Sequence, residues 1–237
     1  MKIISVKSLT TCLILFIAFV LPGKAQVTKN FAVSNFSEVS VAAGIEMIII
    51  QGTTESAKVV ASAEIIDEVK IEKSANSLSV SWKEDRGRLS AWKNKSAKVY
   101  INFKDLHVVK ASSGSSLRTE NLLKTDRLNA SVSSGASLTV KLNCNDLQLK
   151  TSSGSSAAFS GSVTNMEMDA SSGSTVDALA LAATYARVNS SSGADIKINV
   201  SKALETTTSS GSHIGFKGEA ALKNNSSSRS SGVSRIN

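Results

Sequence analysis

The tripeptide Ser-Ser-Gly recurs seven times, with its glycines at Gly114, Gly135, Gly154, Gly173, Gly193, Gly211 and Gly232. The intervals are 21, 19, 19, 20, 18 and 21 residues. A signature repeated at so narrow a period is the mark of a repeat architecture, in which one small unit buries its apolar face only by stacking on the next. Aligning the chain on these glycines shows the rest of the unit. Seven, five and three residues before the glycine stand mostly apolar or small residues: Leu128, Ala130, Val132; Leu147, Leu149, Thr151; Met166, Met168, Ala170; Ala186, Val188, Ser190; Leu204, Thr206, Thr208. The residues between them are polar. This period of two is that of a strand with one face turned inward. Three residues after the glycine the inward phase resumes with Leu117, Leu138, Ala157, Val176, Ile196 and Ile214, and Val140, Phe159 and Ile198 extend it.

Each unit therefore reads as strand, corner, strand and a looser return such as Asn143-Cys144-Asn145-Asp146. The expected fold is all-β, a parallel β-solenoid of about seven coils. Stacked at about 4.8 Å, six periods make a rod about 30 Å long. The corner glycine is expected at positive φ, which costs it nothing because it lacks a Cβ. The serines beside it have hydroxyls to bond the turn backbone. A coil this thin has room only for small and medium side chains, in keeping with an aromatic content of 5%.

Residues 26–104 differ from the repeat region at 105–237. Apolar strand-like runs at Val39–Val41, Gly44–Ile50, Lys58–Ala61, Val69–Ile71, Leu78–Trp82 and Lys98–Phe103 read as irregular strands that cap the first coil, because an open end would expose unpaired strand edges. The charged stretch Asp85–Ser96, with Trp92, reads as an exposed hairpin tip. Toward the C-terminus Asn225, Ser227 and Arg229 take positions that were apolar in earlier coils, so the last coil reads as a polar cap.

The first 25 residues carry Lys2 and Lys7, an apolar run from Leu9 to Leu21, and the small residues Gly23 and Ala25. This is the pattern of a secretory signal peptide, and the run is short for a membrane span. Cleavage after Ala25 leaves a single domain, residues 26–237, with no transmembrane segment. The destination is the periplasm, the cell surface or the medium. The leader holds three lysines and no acid, so the formal charge falls from +8 to +5. The charge is dispersed with no basic run, which argues against nucleic acid as a partner. Cys144 is the only cysteine of the mature chain and reads as a small packed residue.

The stretch Phe36-Ser-Glu-Val-Ser-Val-Ala-Ala-Gly44-Ile-Glu-Met-Ile-Ile-Ile-Gln-Gly52, a strand at Leu78 and the repeated Ser-Ser-Gly-Ser coils resemble the Bacteroidetes-type exported proteins of the family described as "putative auto-transporter adhesin, head GIN domain". The resemblance covers about residues 31–237. It implies a right-handed β-helix of pectin-lyase-like shape, an adhesive role and no catalytic residues. The chain has no translocator barrel of its own.

Catalytic and metal-binding patterns are not found. His107 and His213 lie five coils apart, about 25 Å, and share no site. His107 falls near the inward phase and reads as a packed ring, while His213 beside a corner reads as exposed. Glu167, Asp169 and Glu205 form the strongest acidic group, yet stacking places bases beside them. One column runs Gln148, Glu167, Arg187, Glu205 and the next Lys150, Asp169, Asn189. Such columns read as ion-pair ladders rather than a cation site. No cofactor is expected. The function expected is a non-catalytic exported module that adheres to or binds a polymer, such as a glycan, or a protein. The alternative is a polysaccharide-active enzyme of pectin-lyase-like shape. Export is checked by mass spectrometry of the protein made in a secreting host, where the expected N-terminus is Gln26. An intact Met1 overturns it.

Overall fold

In the computed structural model the structure describes residues 26–83, 95–226 and 232–236. The leader, most of the Asp85–Ser96 tip with Trp92, and Ser227 and Arg229 lie outside them. The described residues form one sheet system of 17 strands with a single 3-10 turn at Ile66–Glu68. It is a β-solenoid, held by parallel pairing of successive coils.

The corner is a tight turn. Ser115 donates its amide to the Ser112 carbonyl at 3.2 Å, and the same bond recurs from Ala136, Ser155, Ser174, Ala194 and Ser212. The two central residues both have positive φ. The second serine sits at 51 to 55° and the glycine at 65 to 72° at Gly114, Gly135, Gly154, Gly173, Gly193 and Gly211. Two successive left-handed residues reverse the chain within one peptide, as in a type I′ turn. Serine accepts this conformation at roughly 1–2 kcal/mol. Inter-coil bonds hold it there: the corner glycines from Gly114 to Gly193 each donate to the second-serine carbonyl of the following coil, as from Gly135 to Ser153 and from Gly154 to Ser172, both at 3.0 Å.

The hydroxyl that staples the corner belongs to the residue after the glycine, not to the exposed second serine. Ser115, Ser155, Ser174 and Ser212 are buried. Ser155 Oγ accepts from the Ser152 amide at 3.2 Å and donates to the Val132 carbonyl of the previous coil at 3.0 Å. Ser212 Oγ lies 2.8 Å from the carbonyls of both Ser190 and Ser209. Ala136 and Ala194 fill the same place, so the hydroxyl is tolerated rather than required.

No loose return follows. Strands β11 (Ser137–Thr151), β12 (Ser156–Ala170), β13 (Thr175–Ser190) and β14 (Asp195–Thr208) run unbroken from one corner to the next. The second bend shows as two consecutive outward residues, Asn145-Asp146 and Thr164-Asn165. The inward face is a ladder of like on like: Leu147 on Met166, Leu149 on Met168, Leu138 on Ala157. Cys144 faces the same interior, and burial followed by the Asp146 charge pushes its thiol up to about 12.

The N-terminal part stacks out of chain order. Strand β2 (Glu38–Val41) lies between β6 (Ser77–Trp82) and β8 (Val108–Ala111), and β3 (Glu46–Gln51) lies between β7 (Ala97–Phe103) and β9 (Ser116–Thr119). Ala42-Ala43-Gly44 is the corner between β2 and β3, with φ of 61° and 75° at Ala43 and Gly44. After β1 (Gln26–Phe31) the chain thus lays β2 and β3 one rung inside the stack, passes outward through β4 (Ser56–Ser62) to β7, and returns at β8 and β9. Antiparallel strands close the end: β5 (Val69–Ser74) on β6, β4 on β7, and β1 on β4. The Ala43 carbonyl has a side-chain donor from the neighbouring strand β6, where later corner carbonyls accept from a glycine amide. The indole N–H of Trp82 donates to it at 2.8 Å. Gln51 ties the cap to the rod, its amide oxygen accepting from the Lys124 N–H at 2.8 Å and its amide nitrogen donating to the Lys124 carbonyl at 2.9 Å.

At the other end the seventh tripeptide departs from the pattern. Gly232 opens strand β17 (Gly232–Arg235) opposite His213, two residues past the Gly211 corner, and does not have positive φ. The reason is hydrophobic register. Val233 continues the column of Ile196 and Ile214, whereas a corner at Gly232 would have brought Arg235 into it.

Two other glycines are held by steric constraint. Gly161 and Gly218 each stand seven residues past a corner, with φ of 113° and 103°. A Cβ on Gly161 would lie 2.0 Å from the Leu142 carbonyl oxygen, and one on Gly218 would lie 2.2 Å from that of Val200. At Gly154 a Cβ would meet nothing within 4 Å. Gly154→Ala should therefore cost only the left-handed penalty of roughly 1–2 kcal/mol, and Gly161→Ala should add overpacking of about 1–3 kcal/mol. Urea unfolding of the two variants checks this, and equal midpoints would refute it. Trp82→Phe should cost roughly 1–3 kcal/mol by leaving the Ala43 carbonyl without its donor, read in the same assay. An unchanged midpoint would remove the capping role of the indole.

Candidate functional site: an open groove beside Tyr185

The longest unbroken coils present their outward residues in columns, and two adjacent columns border a groove of about 550 Å³. The first column lies just past the second bend and reads Arg127, Asp146, Asn165, Tyr185, Ala203, Ala221. The second, two residues further along each strand, reads Gln148, Glu167, Arg187, Glu205, Lys223. Between them Leu147, Met166, Ala186 and Leu204 point inward and are buried. Tyr185 is 48% exposed and is the one exposed aromatic among the large apolar residues described. Its neighbours in the column are Asn165 on one side and Ala203 on the other. The small Ala203 and Ala221 leave the ring uncovered on that side.

The charges of the groove are engaged with one another. Arg127 Nη2 donates to Asp146 Oδ2 at 3.4 Å, and Asn165 Nδ2 donates to Asp146 Oδ1 at 2.9 Å. Arg187 reaches Glu205 Oε2 through Nε at 3.2 Å and Nη2 at 3.0 Å. Glu205 Oε1 accepts from Lys223 Nζ at 3.1 Å and from Asn225 Nδ2 at 2.9 Å. Gln148 Nε2 donates to Glu167 Oε2 at 3.3 Å. The Asn165 hydrogen bond, with that of Arg127, holds the Asp146 carboxyl below its ordinary value. Lys223, then Arg187 and Asn225, do the same for Glu205. Both groups are partly exposed at the surface, so these pairs contribute little to stability.

The ladder expected from the sequence is present in register but bonded differently. Glu167 stands beside Arg187, yet the guanidinium turns to the other neighbouring coil and grips Glu205 through two nitrogens, a geometry that a planar fork favours. Asp169 accepts from Asn189 Nδ2 at 2.9 Å. Lys150 and Asp169 border a second groove of about 650 Å³ with Asn189, Thr207 and the first serines of the corners, among them Ser152 and Ser171. That groove holds no aromatic residue.

His107 is a correction. It is exposed, with Nε2 3.0 Å from Asp105 Oδ2 and Nδ1 3.2 Å from Thr125 Oγ1. Leu106, one residue earlier, takes the inward place and is fully buried. His213 is exposed, and its Nε2 lies 3.3 Å from Ser234 Oγ. Among the described residues no three of His, Cys, Asp or Glu gather in a way that could hold a metal. No helix of the described residues is long and apolar enough to cross a membrane.

Sequence reasoning placed the charged column and passed over Tyr185. The signal was available: the residue eight before each glycine is polar or small in every other full coil, and an unpaired tyrosine breaks that run.

The fold is shared with solved structures of low sequence identity. A "putative adhesin" from Bacteroides fragilis is 17% identical, with a TM-score of 0.77 over 91% of this chain and 99% of its own. A "putative adhesin" from Parabacteroides merdae is 18% identical, with a TM-score of 0.70 over 90% of this chain and 96% of its own. A "putative lipid binding protein" from Parabacteroides distasonis is 14% identical, with a TM-score of 0.70 over 90% and 97%. No curated protein matches the chain. Residues 35–220 match the family described as "Putative auto-transporter adhesin, head GIN domain", and the chain belongs to that family.

Proposed function

We propose that the protein is an exported, non-catalytic binding module that attaches to a polymer or protein partner at or outside the cell envelope, as a single domain left after cleavage at Ala25. The observation that carries this reading is the internal neutralisation of the groove. Its carboxylates are exposed or partly exposed and bonded to neighbouring side chains, and two of them are held below the ordinary range. A general acid needs the opposite, a carboxyl raised toward working pH by burial or a like charge. The family description and the adhesin names of the structural neighbours support the same reading.

The polysaccharide-active alternative is tested directly. The purified domain, incubated with anionic and neutral polysaccharides, is expected to release neither reducing ends nor unsaturated products. Turnover abolished by Glu167→Ala or Asp169→Ala overturns the proposal, since loss of a catalytic acid typically costs about 10²–10⁴ in rate. Asp169→Ala is also expected to leave thermal stability within about 1 kcal/mol of the parent, because its partner is a surface side chain.

A further inference from the structure

We infer that the groove beside Tyr185 takes a neutral glycan, with one sugar ring stacked on the tyrosine face and the chain running along the rod. The inference rests on the binding-module reading above and names the ligand class. Three features select it. The first is charge: the lining carries Arg127, Arg187 and Lys223 against Asp146, Glu167 and Glu205, so it sums to zero. A site for an anionic polymer or a lipid headgroup surface keeps an excess of unpaired cations.

The second feature is what reaches solvent. The apolar floor is buried, so a helix or an apolar peptide finds no greasy face to cover. The strands beneath its length, β11 to β14, are paired on both sides, so an added peptide strand finds no free edge along them; Ala221–Asn224, at one end of the groove, is paired on one side alone among the described residues. The groove instead offers one aromatic ring rimmed by fixed donors and acceptors. A pyranose has that complement: a face of C–H groups and a rim of hydroxyls that both donate and accept. Arg187 has five N–H donors, and two of its nitrogens are used by Glu205. Pairing within the ladder holds these groups in place before a ligand arrives, which lowers the ordering cost of binding.

The third feature is the repeat. Coils rise by about 4.8 Å, close to the advance of one sugar unit in an extended glycan. A chain along the rod therefore meets a new pair of outward side chains at each coil, with Tyr185 fixing its register.

The experiment uses the mature chain on an array of neutral polysaccharides (β-glucan, mannan, galactan, starch) and anionic ones (alginate, polygalacturonate), followed by calorimetry with oligosaccharides of any polymer bound. The expected result is binding to at least one neutral glycan, weakened about tenfold or more by Tyr185→Ala and retained by Tyr185→Phe, with circular dichroism unchanged in both. Binding confined to anionic polymers, no binding to any neutral polymer, or neutral binding untouched by Tyr185→Ala overturns the inference. Pull-down of a protein partner that competes at Tyr185 overturns the glycan while leaving the binding-module reading in place. Hydrolysis of a bound glycan would remove that reading instead.

Discussion

Everything in this molecule follows from the need of each coil for a neighbour. A single turn of this chain leaves a row of backbone donors and acceptors open on both sides, and the ladder to the next coil closes them. That ladder is in register over most of each coil, from Ser137 opposite Ser156 to Thr151 opposite Ala170. Register in turn dictates composition. Whatever stands at one position meets its own equivalent above and below, so inward columns must fit by volume and outward columns must alternate in charge or be neutral. The corners obey the same rule in backbone terms, the glycine amides from Gly114 to Gly193 each donating to the next coil's carbonyl.

The end of the stack shows how strict this requirement is. At the first corner of the chain the donor to the Ala43 carbonyl is a side chain, the Trp82 indole of the outer neighbouring strand. Antiparallel strands cover the remaining edges. The groove is the same rule on the surface: stacked columns bring Asp146 between Arg127 and Asn165, and Glu205 between Arg187 and Lys223, so a binding surface of fixed polar groups arises without any loop being ordered for it.

Much of this was legible in the chain. The alignment on Ser-Ser-Gly places Leu117, Leu138, Ala157, Val176, Ile196 and Ile214 in one column, and they occupy it, because a period-two pattern tied to a fixed corner leaves no freedom of register. What escaped has identifiable physical causes. Ala42-Ala43-Gly44 shares the corner geometry but not the serines, since the left-handed pair tolerates alanine. Gly232 shares the letters but not the place, because Val233 outbids it for the interior. Gly161 and Gly218 depend on the approach of a carbonyl from another coil, which no local pattern records. Arg187 chose Glu205 over Glu167 by geometry within a column whose membership was already known. Tyr185 stands out once register is known, because an exposed ring is the rarer event in a chain so poor in aromatics.

The out-of-order cap has a kinetic consequence. Each later rung forms by closing a loop of about one coil, as when Ser137 finds Ser156. Glu38 must wait for Ser77 and then for Val108. Closing a longer loop costs more chain entropy before any contact repays it. Assembly of the N-terminal rungs therefore carries a larger loop-closure cost than the addition of any later coil.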